Sequence, residues 1–155
     1  MADVEVVVND KAFRAKMDRV TSQAPAEMQR LMTKSVLYAQ SQIPSYPSPP
    51  PGSSYRRTGT LGRTVTAFPG VSPARSIGGS GGENPGAMPL TRVEPFSGGV
   101  RGVIGGRLDY MPYVIDEGNQ AYMHKGRWWT LQKIVRDSRD GIIKIFREGV
   151  LGWFK

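Results

Sequence analysis

Tyr110-Met-Pro-Tyr-Val-Ile-Asp-Glu-Gly118 and, upstream of it, Tyr55-Arg-Arg-Thr-Gly-Thr-Leu-Gly-Arg63 decide how this chain reads. Pro112 suits the opening of a single helical turn and Gly118 its end. The turn is aromatic at Tyr110 and Tyr113 and acidic at Asp116 and Glu117. The upstream stretch is an arginine-rich turn that runs into an alternating segment. Guanidinium and carboxylate pair in a planar, bidentate way, so a basic and an acidic loop on one small domain suit contacts between its copies.

Working outward, Asp3 to Asn9 alternates with Val4, Val6 and Val8 on one face and predicts a strand. Asn9 then caps a helix carrying Phe13, Met17 and Val20 as one stripe. Pro25 and Glu27 predict the start of a second helix, lined by Met28, Leu31, Met32 and Ala39 as far as about Gln42. Five prolines between Pro44 and Ser54 exclude helix and central strand and give a stiff, extended arm. Leu61 to Phe68 alternates and is expected as a strand. Residues 69–89 hold six glycines and read as a long irregular loop. Leu90 to Phe96 and Val100 to Gly105 flank Ser97-Gly98-Gly99, a tight-hairpin signal, with Pro95 marking an edge strand.

Beyond Gly118 the spacing turns helical. Leu131, Ile134 and Val135, then Ile142, Ile145, Phe146 and Val150, predict one broken helix or two short ones from Trp128 to about Phe154. Asp140-Gly141 is the expected break. Trp128 and Trp129 would point about 100° apart on a helix, so either the helix end is enclosed and buries both or one of them meets a partner. The fold class that results is α+β, as one domain over residues 1–155. A small antiparallel sheet of about four strands packs against N-terminal and C-terminal helices, with long Pro/Gly-rich loops. Tyr113 is expected to be largely buried.

Composition narrows the function. The chain has no cysteine, which removes disulfides and thiolate metal sites and fits an intracellular protein. No apolar run is long enough to span a membrane, and the acidic, strand-like start does not read as a signal peptide. The net charge of +8 is concentrated in residues 44–107, where seven arginines meet two acids. Such a surface attracts nucleic acid or acidic protein without specificity.

Reactive groups are sparse. His124 is the one histidine, and its neighbours Met123 and Lys125 offer it no orienting carboxylate. Asp109, Asp116 and Glu117 have oxygens for a hard cation but lack the spacing of a calcium loop; salt bridges account for them more simply. Gly78-Gly-Ser-Gly-Gly82 lacks the lysine and hydroxyl of a phosphate-binding loop. Gly99-Val-Arg-Gly102 has the spacing of a KH-type loop but sits inside a strand. No enzyme, cofactor or metal site is expected.

The order of these elements resembles the small neck or tail-completion proteins of long-tailed bacteriophages, the group related to the tenth gene product of a lambdoid siphophage. The resemblance is carried by Thr58-Gly59-Thr60-Leu61-Gly62-Arg63-Thr64, which is similar to a Thr-Gly-x-Leu-x-x-Ser/Thr segment. It is carried also by Tyr110, Pro112, Tyr113, Val114 and Gly118, similar to a Tyr-x-x-Tyr-Val-x-x-Gly corner with one extra residue, and by the aromatic-led C-terminal helix. It implies a virion structural protein with no enzymatic activity. Its copies would form a ring, six-fold by expectation, around the channel at the head–tail junction, as neck, completion or tail-terminator piece. Connector, stopper and tail-tube proteins would be its neighbours, and the genome would pass non-specifically through the lumen. The virion, and the host cytoplasm before assembly, would be its locations. A ring of head-to-tail contacts uses two patches per subunit. Arg56, Arg57 and Arg63 on one side, and Asp116 and Glu117 on the other, are the candidates, with Trp129 as a further interface residue. The alternative is a stand-alone basic nucleic-acid-binding module in which Tyr55 and Phe68 stack on bases.

Overall fold

The computed structural model describes residues 11–47, 51–52, 60–66 and 90–153. Helix α1 spans Lys11–Ser41 and α2 Thr60–Thr66. A hairpin of β1 (Arg92–Phe96) and β2 (Gly99–Val103) follows. Then come α3 (Met111–Ile115), α4 (Leu131–Asp137) and α5 (Arg139–Trp153). The protein is α+β, and the sheet among the described residues has two antiparallel strands.

The two helices expected around Pro25 are one, with Pro25 inside α1. Proline removes one helical N–H and leaves the carbonyl four residues back without its donor. Here Pro25 and Thr21 both lie on the exposed side, where water can take that place. Among the described residues of the first half of α1 none is buried. The second half buries Leu31, Ser35, Val36, Ala39 and Gln40, the spacing of a single helical face.

The sheet is smaller than the four strands expected. Asp3–Asn9 lies outside the described residues, as do residues 67–89. Residues 60–66, expected as a strand, form α2. Leu61 and Val65 are both buried, and they satisfy a four-residue helical step as well as they satisfy alternation. The threonines, which favour strands, are absorbed by bonding back along the helix. Thr64 Oγ1 donates to the Thr60 carbonyl at 2.9 Å and Thr66 Oγ1 to that of Gly62 at 2.7 Å. The buried Gln40 amide donates to the Val65 carbonyl at 2.8 Å and closes the end of α2.

The hairpin forms as its sequence predicts. Arg92 pairs with Val103 and Phe96 with Gly99, so Ser97-Gly98 is a two-residue turn, and Gly99 takes a φ of 146° that side chains rarely allow. Arg101 lies directly across from Glu94 and donates Nε to it at 2.9 Å, while Arg92 Nε reaches the same carboxylate at 2.7 Å. These bonds, Arg92 first and then Arg101, hold the Glu94 carboxyl below the usual glutamate range. The opposite face meets α1 closely: a Cβ on Gly102 would lie 2.5 Å from Val36 Cγ2.

A second cluster joins the remaining elements. Ile43, Leu61, Val65, Leu108, Met111, Val114, Ile115, Trp129 and Ile134 pack together, edged by Tyr46, Trp128 and Leu131. The Tyr46 hydroxyl accepts from the Gly62 N–H, which fixes the chain after α1 against α2. Thr130 caps α4 by accepting from the Lys133 N–H. The C-terminal helical region is two helices, broken at Ser138 and not at Asp140-Gly141. Gly141 lies inside α5 because the Tyr38 ring occupies the space a side chain would need.

Candidate assembly surface

Two exposed regions carry the features expected of a contact surface. The first is the corner after α3. Within α3 it is Met111, Val114 and Ile115 that turn inward, at helical spacing. Tyr113 therefore points outward and is 60% exposed, which corrects the expectation that it is buried. Tyr110, Tyr122 and Met123 are exposed as well. The segment after α3 folds back on it: the Ala121 N–H donates to the Tyr113 carbonyl at 2.8 Å, and the buried Gln120 amide to the Val114 carbonyl at 2.7 Å. The backbone bond from Ala121 to Tyr113 thus brings the segment that carries the exposed Tyr122 back to α3.

The acids of this corner are ordered by partners in the same chain. Asp116 accepts from the Asn119 amide at 2.5 Å, from Gln132 and from the Gly118 N–H at 3.3 Å. These bonds, Asn119 first, hold its carboxyl below the usual aspartate range. Arg136 grips Glu117 through two parallel bonds of 2.6 and 2.8 Å. That grip lowers the Glu117 pKa and raises that of Arg136. Both side chains are at least half exposed, so the pair orients the loop more than it stabilises the fold. Arg136 was not foreseen as the partner of Glu117. The two are 19 residues apart, and only the docking of α4 beside α3 brings them together.

The second region is the outer side of α5. Its inner side rests on α1 at Gly141 and Gly149, where Tyr38 and Leu31 fill the space that side chains would take. At about 100° per residue, Ile143, Val150 and Leu151 then fall on the far side, flanked by Ile142 and Phe146. These five and Arg147 line a shallow groove of about 490 Å³. Leu151 is 58% exposed, and none of the residues of α5 is buried. The sequence signal was the unusual width of the apolar face of this helix.

The other candidates are placed as follows. Trp129 is 9% exposed and belongs to the core, just before α4 and not on it. Its neighbour Trp128 is half-buried and packs on Tyr46 with the rings tilted at 48° and their centres 5.3 Å apart. His124 sits edge-on to Trp128 at 5.7 Å. Leu61 is a core residue of α2. Pro112 lies in the first turn of α3, and the helix stops at Asp116, two residues before Gly118. Arg56, Arg57, Thr58 and Gly59 lie outside the described residues, as does the side chain of Arg63. A further groove of about 720 Å³ runs between the first half of α1 and the end of α5, where Arg30 is paired with Glu27 at 2.6 Å. Among the described residues no group of three or more histidine or carboxylate side chains is placed to hold a metal ion, and no helix is long and apolar enough to cross a membrane.

Compared with family models, with curated proteins and with solved structures, the chain finds no match.

Proposed function

We propose that this protein is a structural component of a bacteriophage virion. It would act at the head–tail junction as the repeating subunit of a neck, tail-completion or tail-terminator ring around the DNA channel. The observation that carries the proposal is α5, a fifteen-residue helix with apolar side chains on both sides and no residue buried. Large exposed apolar patches mark surfaces that meet other proteins. The resemblance in motif order supplies the kind of assembly, and the ordered acidic corner supplies a second, chemically different surface.

The nucleic-acid alternative has less support. Two of the middle arginines, Arg92 and Arg101, are spent on Glu94 and do not form an open basic track. Native mass measurement of the purified protein, alone and with connector and tail-tube proteins, tests the main reading. A closed oligomer in either setting is the expected result. A chain that stays monomeric with both partners, yet binds DNA with steep salt dependence, would replace the ring with the alternative.

A further inference from the structure

We propose that the outer face of α5 docks on the aromatic and acidic corner of a second copy of this chain, in a head-to-tail contact. This docking rests on the assembly proposed above and gives it two surfaces. The α5 groove is apolar through Ile142, Ile143, Phe146, Val150 and Leu151, and its one charged lining residue is Arg147. Elsewhere on the helix the charges are mixed, with Arg139 and Lys144 set against Asp140 and Glu148, and Lys144 lies 3.9 Å from Glu148, so Arg147 is the cation the groove itself presents. The partner surface must therefore offer aromatic or aliphatic area together with negative charge.

The corner has both. Tyr110, Tyr113, Tyr122 and Met123 are exposed there. Residues 108–124 hold three carboxylates; Glu117 is already gripped by Arg136 of its own chain, whereas the donors to Asp116, namely Asn119, Gln132 and the Gly118 N–H, are neutral and leave its charge for a partner. Hydrogen bonds, from Asn119 first at Asp116 and from Arg136 first at Glu117, hold both carboxyls below their usual ranges. Arg147 gains from either element of the corner, a carboxylate or the face of a tyrosine ring.

Charge also decides between possible occupants. Two α5 helices packed on each other across a two-fold axis would bring Arg147 of each copy into a shared apolar seam, with no carboxylate among the lining residues. Nucleic acid suits neither surface, one being apolar and the other acidic. A contact between two different patches is heterologous, and repeated about an axis it closes into a ring or runs on as a filament.

The absence of cysteine allows a direct test. Ile143→Cys and Tyr113→Cys are made in separate chains, both at exposed positions, with unchanged melting temperatures as the check on folding. Each variant alone and the two mixed are treated with a short bismaleimide, and the products are weighed by mass spectrometry. The expected product is a covalent dimer in the mixture and not in either variant alone. Adding Arg147→Glu to the Ile143→Cys chain should lower its yield several-fold. Self-linking of Ile143→Cys at the yield of the mixture would mean an α5–α5 seam and overturn the proposal. If the unmodified protein assembles but the mixture gives no dimer, this docking is wrong and the ring reading stands. If the unmodified protein also stays monomeric beside connector and tail-tube proteins, both are wrong.

Discussion

Gly149 of α5 lies hard against Leu31 of α1: a Cβ at position 149 would fall 2.7 Å from Leu31 Cδ1 and 3.0 Å from Cγ. Leu31 is a core residue with 2% of its surface exposed, so it has little freedom to withdraw. This approach fixes which side of α5 faces inward. It thereby turns Ile143, Val150 and Leu151 outward, and the proposed role of the protein follows from that orientation.

Gly149→Val should therefore destabilise the protein by roughly 1–3 kcal/mol, through overpacking. Gly152, three residues on, has open space where a Cβ would go. Gly152→Ala should cost nothing and gain up to about 1 kcal/mol from the better helix former. Urea titration of both variants checks the pair. Equal and small effects would mean that α5 does not sit on α1 as described.

The outward setting of Tyr113 gives a second contrast, within one short helix. Tyr113→Ala should change stability by less than about 1 kcal/mol, as surface replacements do. Ile115, at 1% exposure in the core cluster, should lose roughly 2–5 kcal/mol on truncation to alanine. A large loss at Tyr113 would return that ring to the interior.

The Glu117–Arg136 pair carries a pH dependence whose sign is fixed. A carboxylate with a depressed folded-state pKa contributes stability that is present above its unfolded value, about 4.3 for glutamate, and is lost as pH falls through the lower folded value. Glu117 is shifted down, chiefly by its hydrogen bonds to Arg136. An NMR titration of its carboxyl carbon should show a midpoint below that of free glutamate, and Arg136→Met should move the midpoint up. A midpoint indifferent to residue 136 would remove the pair from solution.

Charge reversal of the arginine-rich turn tests the other candidate surface. Arg56→Glu together with Arg57→Glu should block assembly while leaving the melting temperature of the isolated protein unchanged. Normal oligomers from that double variant would take these arginines out of the contact.

Much of the fold was legible because local chemistry dictated it. Ser97-Gly98-Gly99 between two strand-like runs could only turn tightly, and Pro112 could only open a helix. The errors have tertiary causes. Thr60–Thr66 is too short for alternation and helical spacing to differ, and the Gln40 side chain from α1 joins the choice of helix by taking the Val65 carbonyl. Gly141 looked like a break, but Tyr38 requires the gap it leaves inside a helix. Tyr113 was expected to be buried, whereas Met111, Val114 and Ile115 already show the inward face at helical spacing. The acidic corner was visible in the sequence. Its tie to Arg136 was not, because that contact depends on how α4 docks. The apolar width of α5 was seen as well, but which side faced out depended on Gly149 meeting Leu31.

Electron cryo-microscopy of particles assembled with this protein tests the central claim most directly. The expected density is a closed ring at the junction of head and tail, with the outer side of α5 covered by the Tyr113 corner of the adjacent subunit. Density for separate, unringed copies, with α5 and the corner both open to solvent, would contradict it.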